Sequence, residues 1–164
     1  MRRFVWVPVL TVLSLLTPVP RAIASEHAVA ADTVPSAVRD ALRRKYGQAD
    51  RISFTRERSR GVVTYEATIT AQGRSIDVEI SADGQIKLEE ERISRGQLPA
   101  AVVGALMSSP FGRDEIGRVE RVIDHEVVEA PRFEILVRDR RALWELTYDR
   151  EGHLKSKERM QKPD

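Results

Sequence analysis

Val34-Pro-Ser-Ala-Val-Arg-Asp-Ala-Leu42 and Leu98-Pro-Ala-Ala-Val-Val-Gly-Ala-Leu106 carry one pattern twice, 64 residues apart. Ile52 and Ile116 keep the same offset. Tyr65-Glu66 answers Phe133-Glu134 at an offset of 68, as Asp83-Gly84 answers Glu151-Gly152, so four residues enter between Ile116 and Phe133. Self-similarity at so long a period marks one supersecondary unit used twice, and a duplicated unit serves as a scaffold that presents a surface.

Each unit is expected to open with a helix. Pro35 and Pro99 suit a first helical turn, where a missing N–H costs nothing. Ala37, Val38, Ala41, Leu42 and Tyr46 then recur at helical spacing, with Arg39, Asp40, Arg43 and Arg44 on the opposite face and Gly47 as the stop. The second helix, with Ala101, Val102, Ala105 and Leu106, has no charged residue between Leu98 and Met107 and is expected to be the more buried of the two. The period then changes to two. Val63, Tyr65, Ala67 and Ile69 form one inner row, Ile76, Val78 and Ile80 a second, and Phe133, Ile135, Val137 with Trp144, Leu146, Tyr148 the rows of the second unit. Asp83-Gly84 signals a hairpin into Ile86-Lys-Leu88, and Ile52 with Phe54 marks a first strand. Val119 and Ile123 share one parity while Ile116 and Val122 share the other, which predicts a bulge there.

The fold class expected from these patterns is α+β: two tandem helix-plus-four-strand antiparallel repeats sharing a sheet, with both helices on one face. The boundaries are 1–24 signal peptide, 25–33 flexible lead-in, 34–95 first repeat and 96–164 second repeat. Arg2-Arg3, the apolar stretch Phe4 to Leu16 and the small-x-small Ala22-Ile-Ala24 before Ser25 have the order of a secretory signal, with Ala24/Ser25 as the cut. That stretch is too short for a spanning helix, which needs ~20 apolar residues. Cleavage removes Arg2, Arg3 and Arg21 and takes the formal net charge from +2 to −1, which withdraws the electrostatic case for nucleic acid or an acidic membrane. With no cysteine there are no disulfides, so packing alone holds the fold.

The opening Val-Pro-x-Ala-Val-x-x-Ala-Leu, the Tyr65-Glu66 strand and the turn Ser81-Ala-Asp-Gly-Gln-Ile86 together resemble the PepSY-like domains, over nearly all of residues 34–160. In the second repeat Glu151 stands where Asp83 does, and Pro110 replaces Tyr46. The resemblance implies a small exported module, often tandem, with a fold similar to the beta-lactamase inhibitory protein, and a role in binding or inhibiting other proteins such as peptidases.

No nucleophilic cysteine, Gly-rich phosphate loop, G-x-S-x-G or H-E-x-x-H motif is present, and no cofactor is expected. Asp124-His125-Glu126 with His153 is a weak metal signal, because two distant histidines among common carboxylates seldom converge. Glu66 and Glu134 occupy equivalent outward positions, beside Asp77, Glu79 and Glu145. Rows of Thr, Glu, Arg and Lys are expected to keep these carboxylates ionised and paired with Arg132 or Arg138, which speaks against a glycosidase pair. The candidate binding face is therefore the wet side of the sheet: Glu66, Asp77, Glu79, Arg132, Glu134, Leu136, Arg138, Leu143 and Glu145. Leu136 and Leu143 stand out, since a solvated row has little use for large aliphatics; either they seed a binding patch with the nearby arginines, or strand propensity and the contact between repeats account for them. The reading is an exported, non-catalytic module that binds another exported protein. The alternative is an envelope binder of small ligands or cations through the acidic rows.

Overall fold

The computed structural model describes residues 25–160, apart from Gln48, Arg60, Val128 and Glu129. The expected signal peptide, including Ala24 of the expected cut, lies outside the described residues. In chain order the elements are β1 (Ser25–Val29), α1 (Ser36–Tyr46), β2 (Arg51–Ser59), β3 (Val62–Ala71), β4 (Arg74–Ser81), β5 (Ile86–Arg92), α2 (Ala100–Ser108), β6 (Glu115–Asp124), β7 (Arg132–Arg138), β8 (Leu143–Tyr148) and β9 (Leu154–Met160).

These strands form a single nine-stranded antiparallel sheet in which every strand pairs with its neighbours in sequence, β1 through β9. This corrects the expected two helix-plus-four-strand repeats. The ladder has no break where one unit would end, because β5 pairs β6 from Leu88↔Asp124 to Arg92↔Glu120 as any other two strands pair. The two helices are short and the fold is mostly sheet. The second correction concerns residues 25–33, which are not a loose lead-in. Ser25–Val29 adds a strand along β2, in register Ser25↔Arg58 to Val29↔Phe54, and a 3-10 turn over Ala31–Thr33 leads into α1.

The helices start and stop where their sequences say. Pro35 and Pro99 take the N-cap positions, and Gly47 closes α1 at φ 61 with its N–H donating to the Arg43 carbonyl. Val38, Ala41 and Leu42 of α1 pack with Phe54, Tyr65, Ile69, Val78 and their neighbours. Val102 and Leu106 of α2 pack with Val119, Phe133, Ile135, Leu146 and Tyr148. Register puts both clusters on one face, since Ile76 faces Glu91, Glu91 faces Arg121 and Arg121 faces Phe133. α2 is not the more buried helix: Val103 is 40% and Met107 56% exposed. Its outward side is apolar but open, which uncharged residues alone could not distinguish from core.

A polar seam divides the two cores on this face. Glu89 is buried and holds three groups: the Lys45 ammonium and His125 Nε2 at Oε1, and the Tyr46 hydroxyl, which donates to Oε2. Burial alone would raise the Glu89 pKa, but these three hydrogen bonds outweigh it and hold the carboxyl below its ordinary range. Beside it Arg121 pairs with Glu91.

Candidate functional site

The opposite face of the sheet carries no helix among the described residues, and its side chains are set by the pleat. On β3 and β4 the outward members are Thr64, Glu66, Thr68, Asp77 and Glu79, while Tyr65, Ala67, Ile69, Ile76, Val78 and Ile80 point to the helices. On β7 and β8 the outward members are Arg132, Glu134, Leu136, Arg138, Leu143, Glu145 and Thr147. All nine residues of the expected binding face therefore lie on this side of one continuous sheet. The expected bulge in β6 falls between Ile116 and Val119.

The register brings carboxylates directly opposite one another four times: Glu66↔Glu79, Asp77↔Glu90, Glu120↔Glu134 and Glu145↔Glu158. Like charges in such positions oppose strand pairing. The compensation is partial. Arg118 Nε lies 2.9 Å from Glu120 and its Nη2 4.0 Å from Glu145. Arg132 pairs with Asp124 at 3.5 Å and Arg138 with Glu115 at 3.9 Å, so neither neutralises the glutamates expected to be its partners. Glu134 and Glu90 form no ion pair within 4.0 Å among the described residues.

The electrostatics follow from this crowding and correct the expectation of an ionised row. Burial, then the charges of Glu145, Glu90 and Glu120, raises the Glu134 pKa to about 7, with Arg132 only partly opposing them. Burial is likewise the leading cause of the upward shifts of Glu79, Glu90 and Glu120, followed by the charge of Glu57 for Glu79 and of Glu120 for Glu90. Glu120 is only 3% exposed. Val122, also buried, sits on this face between Glu90 and Arg132 and belongs to neither core. A hollow of about 170 Å³ opens among Glu57, Glu66, Asp77, Glu79, Leu88 and Glu90. Glu134 can hold a proton near neutrality, and the row can receive cationic groups.

A raised carboxyl has a fixed thermodynamic sign. The contribution of Glu134 is fully present below its ordinary value of 4.5 and is lost as pH rises through about 7. Glu134→Gln never ionises. It should leave stability unchanged below pH 4.5 and raise it progressively to a plateau above pH 7, by about 1–2 kcal/mol after discounting for solvent screening. Thermal melts at pH 4 and pH 8 measure this. A gain equal at both would refute the shift.

Glu90 and Glu120 lie outside the residues expected here, because the pattern that marks β5 ends at Leu88 and the acidic run after it has no apolar alternation. The metal signal disperses. His125 sits on Glu89 across the sheet, His153 bonds Asp149 at 2.9 Å, Asp124 holds Arg132, and Glu126 accepts from Lys87 at 2.6 Å. Among the described residues no group of three His, Asp or Glu side chains is placed to hold a metal ion.

Comparison with solved structures finds the same sheet elsewhere. A BLIP-like protein from Bacteroides fragilis superposes with a TM-score of 0.66 at 25% identity, over 79% of this chain and 89% of that one. The fold resembles that of a BLIP-like protein. A candidate periplasmic protein from Bacteroides eggerthii matches at TM-score 0.68 and 20% identity, over 77% of this chain and 88% of that one. A DUF2874 family protein from Bacteroides ovatus matches at 0.67 and 21%, over 78% and 89%. No family model matches the chain, and no curated protein matches it.

Proposed function

We propose that this chain is an exported, non-catalytic binding module that presents the helix-free face of its sheet to another secreted or envelope protein, and that it acts by inhibiting or modulating that partner, for instance a peptidase. The observation that carries this reading is the face itself. Four opposed carboxylate pairs and the half-buried Leu136 and Leu143 lie together on it, at a cost in stability that a purely structural surface would not retain. The BLIP-like neighbour and the candidate periplasmic neighbour support binding and export respectively. In the same reading the likeness between 34–95 and 96–164 is a PepSY-like duplication absorbed into one sheet, and cleavage after Ala24 frees β1 to begin at Ser25.

The test is affinity capture with the protein purified as its host exports it, passed against the host's secreted and envelope extract. Leu136→Asp should abolish retention of the captured protein with little change in melting temperature. Val103→Asp, on the exposed side of α2, should retain it. Capture that survives Leu136→Asp, or is lost with Val103→Asp instead, would place the binding surface elsewhere.

A further inference from the structure

The hairpin joining β7 to β8 gathers arginines at one end of the sheet. Arg138, Arg140, Arg141 and Arg159 line a cavity of about 490 Å³ together with Asp139, Leu143 and Met160. The cavity draws on both faces, because Arg138, Leu143 and Met160 share the helix-free side while Arg159 stands opposite Trp144 on the other. Its size falls within the range of small-ligand pockets, roughly 300–1,000 Å³.

What makes this more than a solvated basic turn is where its acid goes. The carboxylate of Asp139 lines the cavity too, but its oxygens are engaged in building the hairpin. Its Oδ1 accepts from the backbone N–H groups of Arg141 at 2.6 Å and Ala142 at 2.7 Å, and its Oδ2 accepts from Trp144 Nε1 at 2.9 Å. Arg138 reaches Glu115 only at 3.9 Å, and Arg140 and Arg159 have no ion-pair partner among the described residues. Four guanidinium groups line the cavity against the single carboxylate of Asp139, so positive charge is in excess there, and their flat forks match the oxygens of a phosphate two at a time. The half-buried Leu143 and Met160 between them add an apolar floor that a bare inorganic anion would not use.

We propose that this cavity is a binding site for a phosphate group carrying an apolar or glycerol-like substituent. The phosphate is clasped by Arg140 and Arg159 with Arg138 and Arg141 flanking, and the substituent rests on Leu143 and Met160. That chemistry has two sources in an envelope, the headgroup of an anionic phospholipid or a soluble phosphate ester. The proposal does not rest on the protein-binding role, and no partner protein enters its test, so either can fail alone.

Glycerol phosphate is titrated into the labelled protein, purified as exported, and backbone amide shifts are followed. In parallel, retention on phosphatidylglycerol vesicles is compared with retention on phosphatidylcholine vesicles. Saturable shifts confined to residues 138–143 and 159–160 are expected. The double variant Arg140→Lys/Arg159→Lys keeps the charge, should melt as the native protein does, and should bind about tenfold more weakly because the forks are gone. Retention on the anionic vesicles alone, weakened by the same variant, identifies a lipid source; shifts with the ester and no retention identify a soluble one. No saturable shift and no retention would overturn the proposal. So would equal binding by the lysine variant, which would reduce the cavity to a charge field.

Discussion

Gly84→Ala is expected to lower stability by about 3–4 kcal/mol, whereas Gly73→Ala should cost about 1 kcal/mol. Both glycines end hairpins with positive φ, 88° and 75° respectively, so the strain of placing a side chain there is similar. The surroundings differ. A Cβ at Gly84 would stand 2.6 Å from the Ala37 carbonyl oxygen and 2.9 Å from its carbon, while one at Gly73 would meet nothing within 4 Å. Ala37 lies in α1, so the added methyl must drive the helix off the sheet and loosen the packing of Val38 and Leu42. Gly152 repeats the arrangement beneath α2, with φ 88 and a Cβ 2.6 Å from the Ala101 oxygen. Its alanine variant should behave like Gly84→Ala. Denaturant unfolding of the three variants isolates the close approach from the backbone strain. Equal losses at Gly84 and Gly73 would remove the proposed helix-on-turn contact from the account.

Gly84, and Gly152 as its counterpart, were legible in the sequence, because Asp-Gly after an alternating strand has few other readings. Gly73, after Gln72, carried no such signal, and strand alternation set which residues face inward. The bulge at Ile116/Val119 was legible too, as a break in parity. β1 was not. Ser25-Glu-His-Ala-Val29 has no apolar alternation, and it becomes a strand only through the ladder it makes with β2. The outward face was legible by parity and illegible by chemistry. Whether Glu89, Glu90 and Glu91 point to the helices or away depends on the register of β5 against β4, which slips at Glu79/Ile80. That slip sends Glu89 and Glu91 into the seam and Glu90 onto the acidic row. The raised Glu134 carboxyl needs Glu120, Glu145 and Glu90 from three other strands, a proximity that no local pattern encodes.

The seam and the row respond to pH in opposite directions, and Glu89 decides the acid side. Its carboxyl is held below the ordinary range, so its contribution is present at neutral pH and is lost as pH falls through the folded-state value. Glu89→Gln should therefore cost about 2–3 kcal/mol at pH 7, because removing one member of a buried, hydrogen-bonded charge cluster strands the others. Lys45, with 39% of its side chain exposed, can turn to water, which keeps the loss below that of a fully enclosed pair. Tyr46 cannot. Its hydroxyl pKa is raised by burial and then by the Glu89 bond, and in the Glu89→Gln variant it keeps only a neutral acceptor. Tyr46→Phe should accordingly cost about 1 kcal/mol in the native background and little in Glu89→Gln. Melting curves from pH 8 to pH 3 would show the native and Glu89→Gln proteins converging as the carboxyl protonates. A constant gap across that range would mean that Glu89 acts by shape alone, and that the seam between the two cores is held by packing rather than by charge.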